Sequence, residues 1–132
     1  MAMDMRSMVA ALAQLPESAR RTMMRERLDQ FASLSDTDRA GAMRQMMEAL
    51  GTLQRDDIKK LVASRTEALS EMPAPARMAL MQTHLSLLAQ AGPDRAAAEM
   101  ELIKEILPQL SPAAQQAVQE MMKAMEGPGA GR

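Results

Sequence analysis

The side chains of this chain that are suited to bind a soft metal ion are methionines, several of which lie three positions apart. The chain has 16 Met and no Cys. The groups with this spacing are Met43/Met46/Met47, Met78/Met81 and Met121/Met122/Met125. Thioether sulfurs so placed on a helix would suit Cu(I). They fall on apolar helix stripes without a Cys or His cluster nearby, so we interpret them as adaptable apolar side chains and predict no metal and no cofactor.

The single histidine, His84, is the other candidate for chemistry. With no second His and no Cys, neither a zinc site nor a charge-relay triad can be assembled from recognisable parts. No serine lies in a nucleophile elbow, and no glycine-rich phosphate loop is present. We therefore predict that the protein is not an enzyme, and that His84 lies on the flank of a helix.

Arginine recurs at a fixed interval, at Arg20, Arg39 and Arg77. One interpretation is a ladder for phosphate or for an acidic partner. The other is pairing with acids on the same or an adjacent helix, which we favour because acids also recur, at Asp29, Glu48, Glu67 and Glu105. The basic cluster at positions 20–27 includes Glu26 and lacks aromatic residues that could stack on bases, so we predict no nucleic-acid binding.

Composition predicts an all-α protein. Ala, Leu, Met, Gln, Glu and Arg dominate, and there is one Phe with no Tyr or Trp. Formal charge is 16 − 17 = −1, so no overall field attracts nucleic acid or an anionic membrane. Neither a signal peptide nor an apolar run long enough for a membrane span is present, and we predict a soluble, cytoplasmic protein.

A repeat of 19 residues organises the helices. An L-x-x-L-like motif followed by a turn residue begins at positions 12, 31, 50, 69, 88 and 107, each 19 residues after the last. Such a period predicts an array of about seven short antiparallel helices, arranged either as a solenoid or as a compact helical bundle. Whether the helices join across residues 51–55 is left open.

Turn residues and caps predict where each helix begins and ends. We expect one domain over residues 1–126 and a disordered tail over 127–132. The helices are predicted at about 2–14, 17–33, 35–53, 55–70, 74–90, 93–107 and 112–125. The side chains expected in the core are Met24, Leu28, Phe31, Met47, Leu50, Leu61, Leu85, Leu88, Ile103, Ile106, Leu107 and Val118.

These patterns favour a non-catalytic protein-interaction or scaffold module that presents a Met-rich apolar helical face to a partner protein or to itself. The alternative is a chaperone-like or apolar-ligand-binding helical protein. Paired methionines cannot all fit a narrow core stripe, so some of them should lie at the surface. The partner-binding residues that we predict are Met23, Met46, Met78, Met121, Met122 and Met125.

Overall fold

The structure, a computed structural model, describes residues 4–126, apart from the side chains of Met125 and Glu126. Within that range the chain is helical and has no strand, as the composition predicts. The helices are α1 (Met5–Ala13), α2 (Glu17–Ala32), α3 (Asp36–Leu50), α4 (Arg55–Ser70), α5 (Ala74–Ala91), α6 (Pro93–Ile106) and α7 (Pro112–Glu126), with a 3-10 turn at Leu107–Gln109. The predicted tail, residues 127–132, lies outside the described residues.

Helices α2 to α7 begin at residues 17, 36, 55, 74, 93 and 112, so each begins 19 residues after the previous one. Local chemistry explains several of these starts. Ser35 Oγ accepts a hydrogen bond from Asp38 N, and Ser111 Oγ accepts one from Ala114 N, each at 3.2 Å. These contacts satisfy backbone N–H groups that the first turn of a helix leaves free. The helices do not join across residues 51–55, since α3 ends at Leu50 and α4 begins at Arg55.

A side chain bridges back across four of the turns. The donor lies five residues after the carbonyl group that it binds in every case. The pairs are Arg20 Nη1 with Leu15 O (2.8 Å), Arg39 Nη2 with Leu34 O (2.8 Å), Arg77 Nη1 with Met72 O (3.1 Å) and Gln115 Nε2 with Leu110 O (3.1 Å). Pairing with acids, the role that we favoured from the sequence, is present for Arg39 with Asp36 and Arg77 with Glu120. The contact that these arginines share is the turn carbonyl group.

Helix α4 lies at the centre of the packing. It packs against α1, α2, α6 and α7, and α2 is its most extensive partner. Leu61 and Ala68 of α4 belong to one core cluster with α1, α2 and α3, while Val62 belongs to a second cluster with α6 and α7. Because α4 contributes to both clusters, it joins the two halves of the molecule.

Most of the predicted core residues are buried, with three exceptions. Met47, Leu85 and Leu107 are half-buried, whereas Met46, Leu80 and Leu87 are buried. On α3 and α5 the buried stripe is thus turned by about one residue from its predicted position. That rotation follows from the packing of α3 between α1 and α5 and of α5 against α2, α3 and α6.

Candidate functional site

An apolar groove that carries methionines from three helices is the main concave feature of the described surface. We call it the methionine groove. Its methionines are Met43, Met46 and Met47 of α3, Met81 of α5 and Met121 of α7. Its other lining residues are Leu28, Phe31, Arg65, Thr66, Leu69, Arg77, Leu80, His84, Glu99, Ala117 and Val118. The groove encloses about 70 Å³ and opens to solvent on one side.

Helix spacing explains why these methionines meet. Met43, Met46 and Met47 lie at positions i, i+3 and i+4 of α3, which brings them to one face of that helix. Helix α3 packs mainly on α1 and α5, whereas α7 packs mainly on α4. The groove therefore lies between α3 and α7, with residues of α2, α4 and α5 completing its lining.

The predicted partner-binding methionines divide between the surface and the groove. Met23 and Met78 are 49% and 44% exposed, but neither lines the groove. Met121 lines the groove and is half-buried, as is Met122, which packs on the second core cluster. The side chain of Met125 lies outside the described residues.

Met46 corrects the prediction for α3. We expected it to lie off the core stripe, but it is only 6% exposed and belongs to the first core cluster. It shares one face of α3 with Ala49 and Leu50, at positions i+3 and i+4, and these two residues are buried as well. Met47 is the more exposed of the pair, so Met46 is within reach only of a partner side chain that enters the groove.

Three polar side chains form a cluster at one end of the groove. His84 Nε2 lies 2.6 Å from Glu99 Oε2, and Arg65 Nη2 lies 3.7 Å from Glu99 Oε1. These side chains, from α5, α6 and α4, are between 12% and 15% exposed. Burial alone would raise the pKa of Glu99, but the hydrogen bond to His84 and the positive charges of Arg65, His84 and Arg95 outweigh it and lower this pKa from 4.5 to about 2.

The sequence gave no sign of this polar cluster. His84 and Glu99 are 15 residues apart, on different helices joined at Gly92. Gly92 has φ +103, a conformation that non-glycine residues rarely adopt. Its geometry sets how α6 returns along α5, and that geometry depends on packing rather than on a local motif. Among residues 4–126, no group of three or more His, Cys, Asp or Glu side chains is arranged to hold a metal ion.

The basic cluster on α2 has partners within the fold. Arg20 donates to Ser64 Oγ, Arg21 pairs with Glu17 and Glu71, and Arg25 pairs with Asp29 and Glu71. Arg20 and Arg21 line a second, polar groove of about 410 Å³ with Lys59 and Lys60, but Glu17, Asp56 and Glu67 line it too. Mixed charge of this kind does not form the basic stripe that nucleic acid requires.

No protein-family model, no curated protein and no solved structure matches this chain. None of the described helices combines the length and the apolar character needed to cross a lipid bilayer. The arguments for function therefore come from the groove itself.

Proposed function

We propose that the protein is a non-catalytic interaction module whose methionine groove receives the apolar face of a helical segment from a partner protein. The observation that carries this proposal is the meeting of five methionines from α3, α5 and α7 along one open groove. Methionine is unbranched and polarisable, so a surface rich in it adapts to apolar side chains of different shapes. A helix laid in such a groove would insert side chains spaced at i, i+3 or i+4, and i+7.

The dimensions of the groove favour a protein segment over a small apolar ligand. An enclosed volume of about 70 Å³ is roughly half of the 150 Å³ cavity that holds benzene in an engineered protein. One inserted side chain suits this volume better than a long acyl chain does. The open side leaves room for the rest of a helix, which would cover methionines that are now half-buried.

Two further parts of the proposal rest on the sequence. No covalent step is assigned to His84 or Glu99, because their hydrogen bond to each other is explained by the packing of α5 on α6. The cytoplasmic location inferred from the sequence stays a prediction.

Methionine-methyl NMR tests this proposal directly. The full chain, labelled with ¹³C at the methionine methyl groups, would be titrated with an amphipathic helical peptide that carries leucine anchors at i, i+4 and i+7. We expect the signals of Met43, Met47, Met81 and Met121 to shift, while those of the exposed Met23 and Met78 stay in place. Shifts confined to Met23 and Met78, or no shift with any such peptide, would exclude the groove as the binding site.

A groove-filling variant provides the second test. Ala117 lines the groove and is 8% exposed, so Ala117→Leu adds bulk where the peptide should enter. The matched control is Ala97→Leu, which makes the same change at an exposed position of α6 outside the groove. We expect Ala117→Leu to weaken peptide binding and Ala97→Leu to leave it unchanged. Sedimentation of the chain alone, with and without Ala117→Leu, shows whether the same groove binds a second copy.

A further inference from the structure

Arg65 places hydrogen-bond donors in the groove that the fold does not use. Its guanidinium group carries five N–H donors, and its side chain is 15% exposed. Its nearest acid is Glu99, at 3.7 Å, which is beyond hydrogen-bond distance. Within residues 4–126, no acceptor lies in hydrogen-bonding geometry with Arg65, although Glu99 itself is bonded to His84. A largely buried cation with unused donors favours an incoming anion.

The charges that line the groove point in the same direction. Arg65 and Arg77 are the permanently charged cations among the lining residues, and Glu99 is the acid. Arg77 has its own acid outside the groove, since its Nε lies 3.4 Å from Glu120 Oε2. Glu99 is shared between Arg65, His84 and the positive charge of Arg95. One carboxylate thus serves several basic groups, and a second carboxylate would complement the surplus positive charge.

We infer that the groove selects a helical partner segment that carries an acidic side chain next to its apolar anchors, with this carboxylate bound by Arg65. The inference rests on the proposed function and specifies the class of partner. The apolar anchors would contact the methionines, and the carboxylate would accept two parallel N–H bonds from the guanidinium group. The overall charge of −1 would not attract an acidic segment, so the preference would come from the groove.

Three helical peptides that differ at one position test this inference. All carry leucine anchors at i, i+4 and i+7, and position i+3 is Glu, Gln or Lys. With the unmodified protein we expect the Glu peptide to bind roughly tenfold more tightly than the Gln peptide, and the Lys peptide to bind most weakly. Calorimetric titration gives the dissociation constants, and the methionine-methyl signals report whether each peptide occupies the groove.

Variants of the protein assign the preference to one side chain. Arg65→Gln should remove the difference between the Glu and Gln peptides while leaving binding of the Gln peptide similar. Arg65→Lys keeps the charge but not the paired donors, so it should retain part of the preference. The control is Arg55→Gln, the same charge change at a residue that pairs with Glu105 outside the groove. Comparing peptides with the unmodified protein stays informative even where a variant folds poorly.

The outcomes separate this inference from the function on which it rests. Equal binding of the three peptides in the groove overturns the role of Arg65 and leaves the proposed function standing. Absence of binding by all three, as seen in the methionine-methyl signals, overturns the proposed function. Occupation of the groove by sodium decanoate but by none of the peptides would show a lipid-like ligand and would also overturn both proposals.

Discussion

His84 of α5 and Glu99 of α6 are joined by a 2.6 Å hydrogen bond at the end of an otherwise apolar groove. The bond links two helices that follow each other through Gly92, and Arg65 brings a third helix, α4, to the same carboxylate. A carboxylate in this position has to stay charged to hold its basic neighbours together. The stability of the fold should therefore depend on the ionisation of Glu99.

Acid should destabilise the protein partly through Glu99. Its pKa in the folded chain, about 2, lies below its ordinary 4.5, so the charged form contributes stability that is fully present above about pH 5 and is lost as the pH falls towards 2. The difference between the two values corresponds to roughly 3 kcal/mol. Urea denaturation at several pH values should show Glu99→Gln to be strongly destabilising near neutral pH and nearly neutral close to pH 2. Glu101→Gln, at an exposed residue of the same helix, should show no comparable convergence.

Arg39 should be the most important of the repeated arginines for stability. It is 7% exposed and donates to three backbone carbonyl groups at the end of α2 and in the turn after it, those of Phe31, Ala32 and Leu34. Arg39→Met keeps most of the apolar stem but removes these bonds, and should cost about 2–3 kcal/mol. Arg44→Met, at an exposed residue of α3, should change the free energy of unfolding by less than about 0.5 kcal/mol. Similar losses for both variants would show that the turn carbonyl groups do not need Arg39.

The helix ends were predictable because their causes are local. Pro16 and Pro73 come directly before α2 and α5, and Ser35 and Ser111 cap α3 and α7 through a nitrogen three residues away. The contacts of the repeated arginines were missed, although the sequence holds the signal. Arg20, Arg39 and Arg77 each lie five residues after an apolar residue of a turn, which is the separation of donor and acceptor in the structure.

The contents of the groove were less predictable because they depend on contacts between distant helices. Met46 and Met47 are neighbours in sequence, and which one is buried depends on how α3 lies between α1 and α5. Helical periodicity gives the width of an apolar stripe but sets its direction only to within about one residue. The meeting of Arg65, His84 and Glu99 needs three helices at once. No motif of adjacent residues encodes it.

Ser111 should contribute more to stability than a helix cap alone. Its N and Oγ donate to the two carboxylate oxygens of Glu67, at 2.9 and 2.7 Å, and so attach the start of α7 to α4. Ser35 gives a matched comparison, because its Oγ caps α3. Ser35→Ala should cost about 1 kcal/mol, and Ser111→Ala about 1 kcal/mol more, since Glu67 loses a donor. In a Glu67→Ala background this excess should disappear, and its persistence would mean that the attachment to α4 is not its source.

Truncations on α5 should distinguish the buried stripe from the predicted one. Leu80 is 2% exposed, whereas Leu85, which the sequence placed in the core, is half-buried. Leu80→Ala should lower the free energy of unfolding by about 2–5 kcal/mol because it leaves a cavity. Leu85→Ala should cost less, on the order of 1–2 kcal/mol, because less of its apolar surface is buried. Equal costs would indicate that both faces of α5 are packed.

Oxidation of methionine should separate the exposed methionines from those of the groove. Mild peroxide converts accessible methionine to the polar sulfoxide, so Met23 and Met78 should react first and the buried Met24 and Met46 last. Because Met23 and Met78 lie outside the groove, peptide binding should survive their oxidation and decline as the half-buried Met47 and Met121 react. Peptide mapping by mass spectrometry gives the order of oxidation, while calorimetry and circular dichroism follow binding and folding in the same samples. Binding lost when only Met23 and Met78 are oxidised would place the partner on the exposed face of α2 or α5 instead. Binding lost only when the helices melt would show that the methionines of the groove serve the core alone.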